Sequence, residues 1–142
     1  LDAQGRLDTR RYPGFGEHAF PTCFVCGPAR AEGDGLRILP GRLPDGGAVA
    51  APWHAREPSV PVVWAAIDCP GAYAVGTEGR GEPVLGRMTA RVSPLPAPGD
   101  RCVVVSWPLG EDGRKLFAGT ALFAEDAELL ALAKQVWIVP RA

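Results

Sequence analysis

The chain has 142 residues, a net charge of −1, 46% hydrophobic residues and 22% charged residues. That length suits one domain with a single core, and the composition is ordinary for a soluble globular protein. A near-neutral balance supplies none of the basic surface that nucleic-acid binding needs. No secretion signal or membrane span is recognisable, so the four cysteines are expected as reduced thiols in a cytoplasmic protein.

Residues 1–17 are polar, carry Arg10, Arg11 and Tyr12, and read as an N-terminal arm ahead of one domain over residues 18–142. Residues 19–26 form a short apolar stretch and are expected to be a strand; residues 27–35 read as a loop. Residues 36–39 and 48–53 read as two strands. The turn sequence Leu43-Pro-Asp-Gly-Gly47 joins them as a hairpin.

Residues 59–76, SVPVVWAAIDCPGAYAVG, are the longest apolar run. Ser59 suits an N-cap, Pro61 the first turn and Gly76 the stop. A helix apolar on all sides must be wrapped. Ala, Gly and two Pro make the run too weak to span a membrane. Asp68 is its only charge. Its helical neighbours Trp64, Ala65, Gly71 and Ala72 are uncharged, so burial should raise its pKa and suit it to act as a base or nucleophile. The structural alternative is a helix broken at Pro70, with Asp68 capping the second segment.

Residues 77–83 read as a loop. Residues 84–92 alternate, with Met88, Ala90 and Val92 on one face and Arg87, Thr89 and Arg91 on the other, as in a half-buried strand. A rigid turn over 95–100 precedes a Val-rich strand at 102–107, and Glu111-Asp-Gly113 reads as a hairpin turn. Residues 116–123 are apolar on both faces, which points to an oligomer or to cover on both sides. Residues 127–138 mix helix-favouring AELLALAKQ with strand-favouring VWIV; a strand ending at residue 138 is predicted.

Cys23-Phe-Val-Cys26 has the spacing of a metal or redox pair. Tetrahedral zinc needs two further ligands. The remaining candidates are His18, His54, Cys69 and Cys102, none in a second CxxC, so buried structural thiols and no bound metal are expected.

Several stretches together resemble the hotdog-fold thioesterases, in the branch that carries a CFVCGP motif. They are Cys23-Phe-Val-Cys-Gly-Pro28, Gly35-Leu-Arg-Ile38, Trp64-Ala-Ala-Ile-Asp-Cys69, Gly86-Arg-Met-Thr-Ala-Arg-Val92 and Phe117-Ala-Gly-Thr-Ala121. The resemblance implies an α+β hotdog fold, a curved antiparallel sheet wrapped around one central helix. It implies a homodimer or tetramer with active sites at the dimer interface. The implied substrate is an acyl thioester of coenzyme A or acyl carrier protein, hydrolysed without a cofactor. Asp68 falls where that branch carries its acidic residue, and a backbone N–H near the helix start would polarise the carbonyl. The branch's His-Gly-Gly at the helix start is replaced by Ser59-Val60-Pro61, so Val60, Val62 or Val63 would have to supply the donor.

The expected site therefore comprises Asp68 as base or nucleophile, Val62, Val63 and Trp64 around the acyl group, and Arg87 and Arg91 toward coenzyme A phosphates. His54 precedes the helix and is a candidate assistant. The competing reading is a non-catalytic acyl-thioester-binding or dimerisation module of the same fold. A hydratase would need an Asp/His pair, and neither His18 nor His54 lies in such a motif.

Overall fold

A proline inside an apolar helix decides how the centre of the molecule is built. In a computed structural model, which describes residues 12–76 and 79–141, the run at 59–76 forms two short helices, α1 (Val60–Ala66) and α2 (Pro70–Val75). Ser59 caps α1, its hydroxyl accepting from the Val62 N–H at 3.3 Å. Pro70 has no N–H to offer Ala66, so the regular ladder stops. Tighter bonds carry the chain across the gap, from Asp68 N–H to Ala65 O and from Gly71 N–H to Asp68 O, each 3.2 Å. The expected single helix is thus divided at Pro70. Cys69 occupies the N-cap position of α2, and no side chain caps it.

Around these helices runs one antiparallel sheet in the order β1-β2-β4-β5-β6-β3. Its strands are β1 (Gly41–Arg42), β2 (Val49–Ala55), β3 (Val84–Val92), β4 (Asp100–Asp112), β5 (Lys115–Ala124) and β6 (Leu129–Ile138). The ambiguous segment at 129–138 is a strand: its partners β3 and β5 satisfy both backbone edges, and tertiary pairing overrides the helix propensity of its first half. The two-residue turn after Asp112 works because Gly113 adopts φ +57°, a left-handed conformation that costs glycine little.

The inner face of the sheet meets the helices through Ala51, Trp53, Cys102, Val104, Leu122, Ala131 and Ala133 against Val63, Ala66 and Ile67. This is the hotdog fold that the resemblance implied.

Two expected strands are absent. Residues 19–26 form successive turns, and 36–39 join no ladder. The two stretches instead exchange two bonds, Leu36 N–H to Phe24 O and Ile38 N–H to Val25 O, both 2.8 Å. The CxxC turn interrupts the first stretch, and the pairing is too short to propagate. Of the expected arm, residues 1–11 lie outside the described residues. Residues 12–17 pack on the domain, where Tyr12 is buried with Cys26 and Leu39.

Candidate functional site

Asp68 lies at the break between α1 and α2, half-buried, and its carboxylate makes no side-chain hydrogen bond among the described residues. Burial is the larger cause and the neighbouring Cys26 the smaller; together they push its pKa up to about 6. The rise agrees with the reasoning from its uncharged helical neighbours. The capping alternative finds no support, because a carboxylate that capped α2 would accept a backbone N–H there.

What holds this break is a residue that the sequence reading passed over. Gln135 on β6 is fully buried, and its amide donates to Ile67 O at 2.7 Å and to Asp68 O at 2.9 Å. These carbonyls lie where Pro70 interrupts the helical ladder. Gln135 Oε1 in turn accepts from Trp137 Nε1 at 3.0 Å and from Thr120 Oγ1 at 3.3 Å. Thr120 meets Ser106 Oγ at 2.8 Å, and Ser106 donates to Gly119 O at 2.7 Å. Ser106, Thr120 and Gln135 are all fully buried, so the network is dry and internally satisfied. A Cβ on Gly71 would overlap Gln135 Oε1, so glycine is what lets α2 approach β6. The available signal was polar side chains on the inward phase of strands: Gln135 shares its face with Ala131, Ala133 and Trp137.

The other expected residues separate. Val63 is fully buried in the core. Val62 lines an open cleft of about 970 Å³ bounded by the 24–37 loop, the end of β2 and the start of α1. Trp64 is half-buried on α1, and neither main cleft includes it. Arg87 and Arg91 are exposed on β3, at the edge of the sheet and away from both clefts. His54 is exposed in the large cleft with Nε2 2.9 Å from Gly99 O.

That cleft also holds Arg56, and Arg37, whose guanidinium is tied to the carbonyls of Arg30 and Pro28 at 2.6 and 3.4 Å. Asp68 lines neither cleft. At the helix start, the Val63 N–H donates to Ser59 O at 2.9 Å, and Ser59 Oγ takes the Val62 N–H. Of the three proposed oxyanion donors, only Val60 has no such bond among the described residues.

The cysteines do not remain a lone pair. Cys69 brings its sulfur to Cys23 and Cys26, and the three sulfurs lie within 4.8 Å of one another. His18 Nε2 is 3.4 Å from Cys26 Sγ. Of the candidates His18, His54, Cys69 and Cys102, the fold therefore brings Cys69 and His18 to the CxxC pair. Cys69 is 43 positions beyond Cys26 in the sequence, and only the fold delivers it. The adjoining Cys69 thiol, and also His18 and Cys23, hold the Cys26 thiol well below its ordinary range against the opposing effect of burial.

No family model and no curated protein matches the chain. Solved structures do match it in fold. Thioesterase superfamily member 2 of zebrafish is 14% identical, with a TM-score of 0.60 over 66% of this chain and 75% of that one. A hypothetical thioesterase of Streptococcus pneumoniae, solved with coenzyme A, is 9% identical, with a TM-score of 0.60 over 66% and 79%. The PaaI protein of the Escherichia coli phenylacetic acid degradation operon is 12% identical, with a TM-score of 0.60 over 68% and 75%.

Proposed function

We propose that the chain hydrolyses an acyl thioester of coenzyme A or acyl carrier protein, with Asp68 as general base or nucleophile, in a homodimer. The observation that carries this reading is the position of Asp68: a partly buried carboxylate with no side-chain partner among the described residues, at the break in the central helix of a hotdog fold. The neighbour solved with coenzyme A supports the choice of thioester.

As a base, Asp68 takes a proton from water while the water oxygen adds to the thioester carbonyl. The tetrahedral intermediate then expels the thiolate, which regains a proton, leaving acid and free thiol. As a nucleophile, Asp68 displaces the thiolate to form a mixed anhydride, which water cleaves to the acid and free Asp68.

Asp68 lines neither main cleft of the single chain, which suits a site completed by a second copy. Strand β3 sits at the edge of the sheet, with β6 on one side only, and offers the second copy a backbone edge. Arg87 and Arg91 on that strand, and Arg56 in the large cleft, are the candidate contacts for coenzyme A phosphates.

One observation favours the non-catalytic reading. The start of α1 offers few free donors, since Pro61 has no N–H and Val62 and Val63 are already bonded to Ser59. A panel of acyl thioesters, tested on wild type and Asp68→Asn, separates the two. Hydrolysis that falls about 10²–10⁴-fold in the variant, with the affinity for a non-hydrolysable acyl analogue kept, supports the hydrolase. Unchanged hydrolysis removes Asp68 from the mechanism. A wild type that binds the analogue and turns nothing over is a binding module.

A further inference from the structure

We propose that Cys23, Cys26, Cys69 and His18 form a structural zinc site. The inference does not depend on hydrolase activity. Zinc prefers four tetrahedral sulfur and nitrogen donors, with Zn–S near 2.3 Å and Zn–N near 2.0 Å. A regular tetrahedron with those bonds separates two sulfurs by about 3.8 Å, and a sulfur from a nitrogen by about 3.5 Å. The Cys23 and Cys69 sulfurs are 3.7 Å apart, and Cys26 Sγ is 3.4 Å from His18 Nε2. Two edges of the coordination polyhedron are thus already at the length a zinc ion would impose, while His18, which is not within 4.8 Å of all three sulfurs, has to shift toward Cys23 and Cys69 to complete it.

The surroundings are built to hold these donors. The loop Cys23-Phe-Val-Cys26-Gly27 is closed by Gly27 N–H to Cys23 O and Cys23 N–H to Phe20 O, both 2.9 Å. A Cβ on Gly27 would lie 2.5 Å from Cys23 N and O, so the turn admits only glycine without a shift. The buried hydroxyl of Tyr12 donates to Cys26 O at 2.8 Å and fixes the second cysteine. Cys69 enters from the helix break, beside Asp68. A Cys23–Cys69 redox pair would use two of these four groups and leave Cys26 and His18 unexplained.

Loading the site requires a defined exchange of protons. The thiols release theirs to solvent as thiolates bind the metal. His18 Nδ1 now accepts from the Phe20 N–H at 2.9 Å, which leaves the ring proton on Nε2. Ligation through Nε2 moves that proton to Nδ1, and water takes over the exposed Phe20 N–H. The Tyr73 hydroxyl lies 3.0 Å from Nε2 and 3.9 Å from Cys26 Sγ, and its one proton goes to the Tyr12 hydroxyl at 2.6 Å, which itself donates to Cys26 O. With His18 moved onto the ion beside the three cysteines, all four positions would be filled by protein, so the ion would be structural and would tie the N-terminal segment to the start of α2.

The test uses untagged protein purified under reducing conditions. Elemental analysis should give one zinc per chain. Chelator-stripped protein titrated with Co²⁺ should develop intense thiolate-to-cobalt charge transfer and tetrahedral d–d bands. Cys23→Ser, Cys26→Ser and Cys69→Ser should each weaken the charge-transfer band and lower cobalt affinity. Cys102→Ser should change neither. His18→Ala should alter the d–d bands while charge transfer persists. A folded, reduced wild type without charge transfer overturns the site, whatever the variants do. So does a full-strength band in Cys69→Ser, or a Cys23–Cys69 disulfide in the freshly purified protein.

Discussion

Replacing Gln135 with leucine tests the account of the helix break most directly. The substitution roughly conserves volume and removes the amide. Asp68 O keeps the Gly71 N–H as a donor. Ile67 O and Trp137 Nε1 have Gln135 as their only partner among the described residues, and both would be left buried and unpaired. Each such group costs about 1–3 kcal/mol, so the loss should be about 2–6 kcal/mol. Against a total stability of about 5–15 kcal/mol, the fold should survive but weaken. With a urea m-value near 2 kcal/mol/M, the midpoint should fall by roughly 1–3 M at unchanged m.

Thr120→Val is the control. Ser106 keeps Gly119 O and Gln135 keeps Trp137, so about 1 kcal/mol should be lost. A midpoint shift below about 0.3 M for Gln135→Leu would refute the reasoning, because it would mean that water or backbone rearrangement satisfies the break without the amide. Gly71→Ala displaces the same side chain, so the double variant with Gln135→Leu should cost less than the sum of the two.

Asp68→Asn should abolish most thioester hydrolysis, by about 10²–10⁴-fold, while circular dichroism and analogue binding stay unchanged. Sedimentation should show a dimer at micromolar concentration; a monomer would remove the shared site. Gly119→Ala places a Cβ 2.5 Å from the ring of Trp107, which crosses Gly119 from β4, and should cost about 1–3 kcal/mol. A Trp107 forced aside should change its fluorescence; a variant as stable as wild type with unaltered emission would show that the ring is not packed there.

The sequence by itself determined what depends on local pattern. Alternation fixed the phase of β3, and turn residues set the hairpins around Gly46 and Gly113. Pro70 offered a break as the alternative to the single helix expected there, and the uncharged neighbours of Asp68 pointed to its raised pKa. Each follows from a backbone or solvation rule acting within a few residues.

Tertiary structure decided what depends on distant partners. Residues 19–26 have strand composition yet fold as turns, which set Cys23 and Cys26 beside Cys69. Residues 127–138 have a helical half yet form a strand from Leu129, because β3 and β5 each supply a full ladder. Val63, placed at the acyl group by its position near the helix start, points into the core. Gln135 reads as an ordinary polar residue until the fold sets it beneath the carbonyls at the Pro70 break. A hydrogen bond or a cluster of sulfurs needs its groups within a few ångströms, and spacing along a chain does not specify that distance once the chain turns back on itself.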